Sequence, residues 1–332
     1  MNTFGTIFRI SIFGESHGES VGVVIDGCPA GIPLKHSDFN ADFARRRSGA
    51  KGTTPRREAD IPRIMSGVFN ELTSGAPLMI MFENSNTRSR DYTNLIETPR
   101  PGHADFTAEQ KFGGYQDFRG GGHFSGRLTL GLVAAGVIAK KMITPVQVVT
   151  KLLEVGGSAD IEAAVDRAME AGDSIGGIVE CTISQVPVAL GEPFFDSVEA
   201  VMSHMVFSIP AIKGIEFGSG FRAAKMTGSE HNDNIISTDG ITETNHAGGI
   251  NGGISSGNDI VFKAVVKPTS SIHQVQRTMN MKSGEMEQLA VEGRHDTCIA
   301  LRVPVVVEAA AAVVLADLML RAQKINTIYK SK

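Results

Sequence analysis

NHAGGINGGISSGNDIVFKAVVKPTSS, residues 245–271, decides how the rest of the chain is read. Positions 248–256 hold four glycines and two serines; an alternating apolar run follows at Ile260, Phe262, Ala264 and Val266, then Lys267, Pro268, Thr269, Ser270 and Ser271. Glycine costs about 1 kcal/mol per residue in a helix interior and serine prefers caps and turns, so the segment reads as a loop feeding a half-buried strand. Glycines also let backbone N–H groups converge on one anion, with hydroxyls and the Lys267 ammonium beside them. A plain glycine-rich connection explains the same composition equally well. Three more segments of this kind elsewhere in the chain favour a binding cradle.

The 332 residues carry 42% hydrophobic side chains, enough for a substantial core. The net charge of −4 does not suit nucleic-acid binding by the protein as a whole. Cys28, Cys181 and Cys298 are odd in number, far apart and without a CxxC pair, so they are expected to be buried thiols in a reducing cytoplasm, with no metal site. The opening MNTFGTIFRISIFG lacks the charged-then-apolar order of a secretion signal. The most apolar run, 303–320, contains Glu308 and Asp317 and has Pro304 at its start, which fits a buried helix better than a membrane span. No stretch rich in Pro, Ser or charge divides the chain, so one continuous domain over 1–332 is expected.

Residues 6–13 and 21–26 read as strands joined by Gly14-Glu15-Ser16-His17-Gly18, whose glycines would expose the three side chains at a strand end. A helix starting near Pro33 or Ser37 runs to Arg47, and RRRSGAKGTTPRR (45–57) carries six basic residues and no acid. That run is a solvated loop or a mobile one that closes on an anionic ligand; nucleic acid ranks last, because no aromatic residues interleave with the charges. Residues 61–83 read as two strands about a turn at 72–76. RPGHAD (100–105) and RGGGHFSGR (119–127) set His103 and His123 in glycine-bearing turns beside arginines. The second opens a long helix to about residue 143 with small residues on its apolar face. A glycine-rich turn ahead of a buried helix suits an anion, since helix N-termini leave N–H groups unpaired.

Strands at 146–153 and 177–188, helices at 161–171 and 195–206, a helix capped by Ser270 or Ser271 to about Met279, and a final helix from Pro304 complete the reading. Residues 218–223 match GxGxxA only formally. Helix does not alternate regularly with strand, so an α+β fold of antiparallel sheets covered by helices is favoured over a doubly wound parallel sheet. Gathered together, the turns bring Ser16, His17, Arg45, Arg46, Arg47, Arg100, His103, Arg119, His123, Ser125, Arg127, Arg294 and Asp296 into play beside 245–271. Fixed cations, backbone cradles, imidazoles and a carboxylate suit a polyanionic substrate with a phosphate to bind or expel, alongside a phosphorylated cofactor.

GESHG (14–18), RRR (45–47), RPGHAD, RGGGHFSGR, NHAGGINGGISSGNDI (245–260), KPTSSI (267–272) and GRHD (293–296) stand in the order and approximate spacing of chorismate synthases, and the chain resembles that family along essentially its whole length. The resemblance implies a layered β-α-β sandwich with long helices between two antiparallel sheets, and a homotetramer. It implies the last step of the shikimate pathway, a 1,4-anti elimination of phosphate from 5-enolpyruvylshikimate 3-phosphate to give chorismate. Reduced FMN would be required without net redox change, in the cytoplasm, with neither membrane nor nucleic-acid partners. By the same resemblance His17 is the acid near the departing phosphate, His103 faces the pyrimidine side of the flavin, and Ser16 and Asp296 handle the flavin N5 proton with Ser125 close by. Arg46, Arg100 and Arg127 hold the substrate's phosphate and carboxylates or the flavin. Cofactor contacts carry over to His123, Phe124, Ser125, Pro210, Ala211, Gly252, Lys267, Pro268, Thr269, Ser270, Ser271 and Arg294. The chemistry agrees, because a dianionic leaving group needs a proton and fixed positive charge.

Three places depart from the family pattern. His123 and Phe124 replace an Arg-Ser pair, Pro210 replaces an Asn, and the loop at 48–54 is one residue shorter with Lys51 near a familiar Arg. The compact chain lacks the insertions of self-reducing relatives, so NADPH or an external flavin reductase is expected to supply the reductant. An NAD(P)-dependent dehydrogenase, resting on GxGxxA, and a non-catalytic anion-binding protein are the alternative readings.

Overall fold

The computed structural model describes residues 2–56, 58–85, 95–291, 293 and 295–329. Two antiparallel sheets face each other across a layer of helices. In the first, β1 (Thr3–Phe4), β2 (Arg9–Gly14), β3 (Ser20–Asp26), β4 (Arg63–Ser66) and β7 (Leu78–Glu83) lie in the order β1-β2-β3-β7-β4, with the hairpin β5 (Val68–Phe69) and β6 (Leu72–Thr73) apart. In the second, β8 (Gln147–Val155), β9 (Gly177–Ser184), β10 (Ile212–Phe217) and β13 (Ile260–Val266) lie in the order β10-β13-β9-β8. Two small ribbons, β11 (Ile250–Asn251) with β12 (Ile254–Ser255) and β14 (Gln276–Met279) with β15 (Met286–Leu289), complete the strands. Every pairing within the two sheets is antiparallel. The period-2 pattern puts Val21, Val23 and Ile25 of β3 and Val179, Cys181 and Ile183 of β9 onto the helical layer as buried side chains.

Around that layer run α1 (Asn40–Arg46), α2 (Asp105–Phe112), α3 (Thr129–Met142), α4 (Ile161–Glu170), α5 (Val198–Phe207), α6 (Gly228–His231) and α7 (Pro304–Arg321). The two long helices α3 and α7 form its centre and are buried on nearly every face, as their Ala- and Val-rich sequences require. Their separation is set by a missing side chain, since a Cβ at Gly136 would meet Ala309 Cβ at 2.3 Å. The two acids of α7 are fully engaged. Glu308 accepts from both terminal nitrogens of Arg45 at 2.6 Å, from Lys140 at 3.0 Å and from Thr150, while Asp317 accepts the N–H groups of Thr6, Ile7 and Phe8. Burial opposes ionisation of Glu308, but Arg45 and Lys140 outweigh it and bring its pKa down to about 2. Among the described residues no helix is long and apolar enough to cross a membrane, and all three cysteines are buried.

Three expectations change. The helix expected to run to Met279 is the strand β14: Ser271 is buried with its Oγ accepting from Arg100, so it cannot cap a helix there. The turn expected at 72–76 falls earlier, at Asn70 and Glu71, whose φ values of 48° and 60° suit a tight hairpin. The GxGxxA match leads into a single 3-10 turn (Gly220–Lys225) after a strand that pairs antiparallel with β13, which removes the dinucleotide reading.

Candidate active site

Gly120, Gly121 and Gly122 adopt φ of 60°, 80° and 51°, left-handed values that side chains with a Cβ rarely take. This turn threads between two histidines. A Cβ on Gly120 would lie 2.4 Å from His17 Cδ2 and 3.1 Å from Ser16 Oγ, and one on Gly121 would lie 3.5 Å from His103 Nε2. Ser16 N–H donates to Gly122 O at 3.0 Å. Ser16 and His17 are 1% and 9% exposed, so the turn at 14–18 does not project them freely; it seats them beneath Gly120.

Two adjoining cavities meet at the glycine turn and share Gly120, Ser125, Gly126, Thr129, Pro210 and Thr269. The first, about 520 Å3, is lined by Arg46, Arg47, Arg56, Arg100, Arg127 and Arg302 against Glu58, Asp60 and Asp296, and Ser16 also lines it. The excess of arginine suits a multiply charged anion. The second, about 640 Å3, is lined by His103, His123, Phe124, Ala211, Lys213 and residues 267–271, with Phe4, Ile10, Leu132 and Met205 on its apolar side. Both volumes are ordinary for small-molecule sites.

Long-range partners hold the arginines. Arg46 donates to Thr129 Oγ1 and to the carbonyls of Gly126 and Arg127, and Asp60 lies 3.6 Å away. Its burial, with repulsion from Arg302 next, lowers its pKa to about 9, which leaves it charged at neutral pH. Arg127 binds Asp60, Asn84 Oδ1 and Glu83 O. Arg56 reaches Ser16 Oγ at 3.1 Å and Ser16 O at 3.2 Å. Asp296 accepts from Thr54 N–H at 3.0 Å and pairs with Arg302 at 3.3 Å; Arg294 lies outside the described residues.

His103 Nδ1 is 2.6 Å from Asp105 Oδ1, and Asp105 is gripped by Arg100 through two bonds of 2.7 Å. Burial, opposed by Asp105 and reinforced by Arg100, pushes the His103 pKa below its usual value. The 2.6 Å approach to Asp105 suits an N–H donor at Nδ1, while Arg100 Nη2 stands 3.0 Å from that same nitrogen; Nε2 lies beside Gly121. Asp105 is held well below the usual carboxylate range: burial would raise it, but Arg100 and His103 prevail. Arg100 Nη1 also donates to Ser271 Oγ, and Lys267 Nζ donates to Ser270 Oγ, which donates to Gly102 O, so the turns at 100–105 and 267–271 are stitched together. Thr269 Oγ1 is buried with no partner among the described residues. Ala211 sits at φ 74° and its carbonyl accepts from Lys267 N–H.

Three expected members are placed elsewhere. Gly252 is in the hairpin between β11 and β12, with nothing within 4 Å of its Cβ position, and it lines neither cavity. Arg45 is turned away to Glu308, and Arg119 forks onto Asp117. His123 lines the second cavity, but Gly14 O lies 2.9 Å from its Nδ1. Asp60 and Asn84 join the site through Arg127, and Arg302 joins it through Arg46 O as well as Asp296; no motif marks these three, since Arg127 and Arg46 are far from them in sequence. Asp105 stood in the quoted RPGHAD, and its spacing from His103 was the available signal.

Residues 8–320 match the family described as Chorismate synthase. The chain belongs to the chorismate synthase family. A chorismate synthase of Chitinophaga pinensis is 62% identical over 332 residues, covering all of both chains. That of Dehalococcoides mccartyi is 44% identical over 361 aligned positions with 99% of each chain covered, and that of Methanosarcina mazei is 44% identical over 357 with 98% of each. A solved structure titled "Crystal Structure of Chorismate Synthase" superposes with a TM-score of 0.73 at 23% identity, over 96% of this chain and 93% of that one, which shows the shared fold. As a chorismate synthase, the protein is a carbon–oxygen lyase of the shikimate pathway.

Proposed function

We propose that the arginine cavity takes 5-enolpyruvylshikimate 3-phosphate, that the adjoining cavity takes reduced FMN, and that phosphate leaves by 1,4-anti elimination to give chorismate. The observation that carries this reading is the pair of contiguous cavities meeting at a three-glycine turn, with His17 packed under Gly120 just outside both cavities and His103 beside Gly121 in the wall of the second. The second cavity fits a flavin mononucleotide: Lys213 and Lys267 can face a phosphate, the apolar side suits a ring system, and the orphaned Thr269 Oγ1 awaits a polar partner. His123, Phe124, Ser125, Ala211, Pro268, Ser270 and Ser271 would complete its walls, with Arg294 added by family resemblance. Bound and reduced, the flavin supplies electron density that no side chain offers.

In this reading Arg46, Arg100 and Arg127 fix the substrate's anionic groups, and their charge stabilises the phosphate as it departs. His17 gives that phosphate its proton. His103 holds or takes a proton at Nε2 on the flavin side, oriented by Asp105. By family resemblance Ser16 Oγ and Asp296 would handle the proton at the flavin N5, the atom that would receive the proton lost from the substrate ring. The reductant comes from outside, as NADPH or a flavin reductase; the compact length is shared with the C. pinensis relative, which aligns over 332 positions. One domain over 1–332, supported by a large core cluster that reaches both sheets with a small one at Leu95, Leu289 and Val291 apart from it, a homotetramer and a cytoplasmic setting belong to the same reading.

Separate titrations test the two-cavity assignment. Lys267→Ala and Ser270→Ala, both confined to the second cavity, should weaken FMN binding by roughly tenfold and leave substrate affinity within about twofold, and Arg127→Lys should do the reverse. If both kinds of variant weakened both ligands alike, the assignment would fail.

A further inference from the structure

Asn84 follows β7 directly, and its side-chain amide joins three parts of the site. Nδ2 donates to Glu15 O at 3.0 Å and to Gly18 O at 2.9 Å, while Oδ1 accepts from Arg127 Nε at 3.0 Å. These partners fix the orientation of the amide: carbonyls only accept and a guanidinium only donates, so the flipped amide would oppose all three. The two carbonyls bracket Ser16 and His17, in a turn whose own bond runs from Gly18 N–H to Glu15 O at 3.1 Å. At the other end, Arg127 lines the arginine cavity.

We propose that Asn84 is a positioning residue for the elimination: it locks the turn carrying His17 to Arg127 and so fixes the acid relative to the phosphate grip. The proposal rests on the roles given above to His17 and Arg127. Its two halves can be separated chemically. An aspartate at 84 keeps an acceptor for Arg127 but turns a second oxygen towards two carbonyls, so the turn is released while the grip stays. An alanine loses both. Misplacing a reacting group by about 1 Å can cost on the order of a hundredfold in rate.

The test measures kcat and the substrate KM anaerobically with reduced FMN, together with FMN affinity and thermal unfolding, for Asn84→Asp, Asn84→Ala, His17→Ala and Arg127→Lys. Asn84→Asp should lower kcat by roughly 10- to 100-fold with KM within about threefold, and Asn84→Ala should lower kcat similarly and also raise KM at least about fivefold. Both should keep FMN affinity within about twofold. Wild-type kcat in Asn84→Asp, or the same kcat and KM changes in both variants, would overturn the proposal. If Asn84→Asp does not fold, the crystal structure of Asn84→Ala decides: His17 displaced from beneath Gly120 supports the lock, and His17 unmoved overturns it. Wild-type constants in His17→Ala or Arg127→Lys would instead defeat the underlying role assignments. Losses in those two with none at Asn84 would defeat this proposal alone.

Discussion

The turn at 119–127 and the stretch at 245–257 are alike in composition and differ in what they press against. In the first, Gly120 and Gly121 lie on the side chains of His17, Ser16 and His103, and Gly122 lies on the backbone of Asp117. In the second, none of the glycines touches a candidate site residue: a Cβ at Gly248 would meet Gly218 N at 2.5 Å, one at Gly249 would meet Asp259 O at 2.4 Å, one at Gly253 would meet Ser197 Cβ at 2.7 Å and Glu192 O at 2.8 Å, and one at Gly257 would meet Val188 Cγ2 at 2.8 Å. Glycines announce a close approach without saying to what. The first turn shapes a site, and the second ties a hairpin to the outer end of the second sheet.

Histidines beside each region give the largest expected contrast. His17→Ala should lower turnover by two to four orders of magnitude, the usual range for a positioned acid, with FMN binding nearly intact. His246, whose Nδ1 is 3.0 Å from Ser219 Oγ beside the second region, should be replaceable by Ala with turnover within about threefold and a stability loss of about 1 kcal/mol. Comparable turnover in both variants would return His17 to a packing role.

Next come the glycines themselves. Gly120→Ala drives a Cβ into His17 at φ 60° and should reduce kcat by about a hundredfold. Gly252→Ala, also at φ 60° but in open space, should cost about 1 kcal/mol of stability and leave kcat within about twofold. Equal kinetic losses would erase the distinction between the two regions.

A smaller effect separates proton transfer from positioning at Asp296. Asp296→Asn keeps the shape that receives Thr54 N–H but accepts a proton poorly, so the variant should fold, bind FMN and substrate, and turn over at least about tenfold more slowly. Normal turnover, or a loss confined to substrate affinity, would make Asp296 a support for Arg302.

The smallest effect is on stability. His103 has its pKa depressed by burial, so below about pH 6.5 the unfolded chain binds a proton that the folded protein resists. Stability is full above that pH and falls as pH drops through it. Thermal midpoints between pH 7.5 and 5 should decline more steeply in wild type than in His103→Gln. Identical slopes in wild type and His103→Gln would contradict the buried, neutral imidazole.

Much of this architecture was legible from periodicity. α3, α7, β9 and β13 follow from patterns of 3.6 and 2 that burial on both sides of the helical layer enforces, and Gly136 carries out the close packing that small residues announced. β14 was misread because its partner β15 and the buried bond of Ser271 are tertiary facts. The site was legible where a motif carried its own chemistry, as at His17, His103 and the run 267–271. It was not legible at Asp60, Asn84 and Arg302, which act on Arg127 and Asp296 only after the chain has folded. Nor could composition tell that Arg45 and Arg46, neighbours on α1, point to Glu308 and to the cavity respectively.

The most direct test of two adjoining cavities, one for substrate and one for an electron-rich cofactor, is an anaerobic assay of 5-enolpyruvylshikimate 3-phosphate with the protein and either reduced FMN, oxidised FMN or no flavin. The account predicts chorismate and phosphate in equal amounts with reduced FMN alone, with the flavin still reduced at the end. Equal phosphate release with oxidised FMN or with none would contradict it.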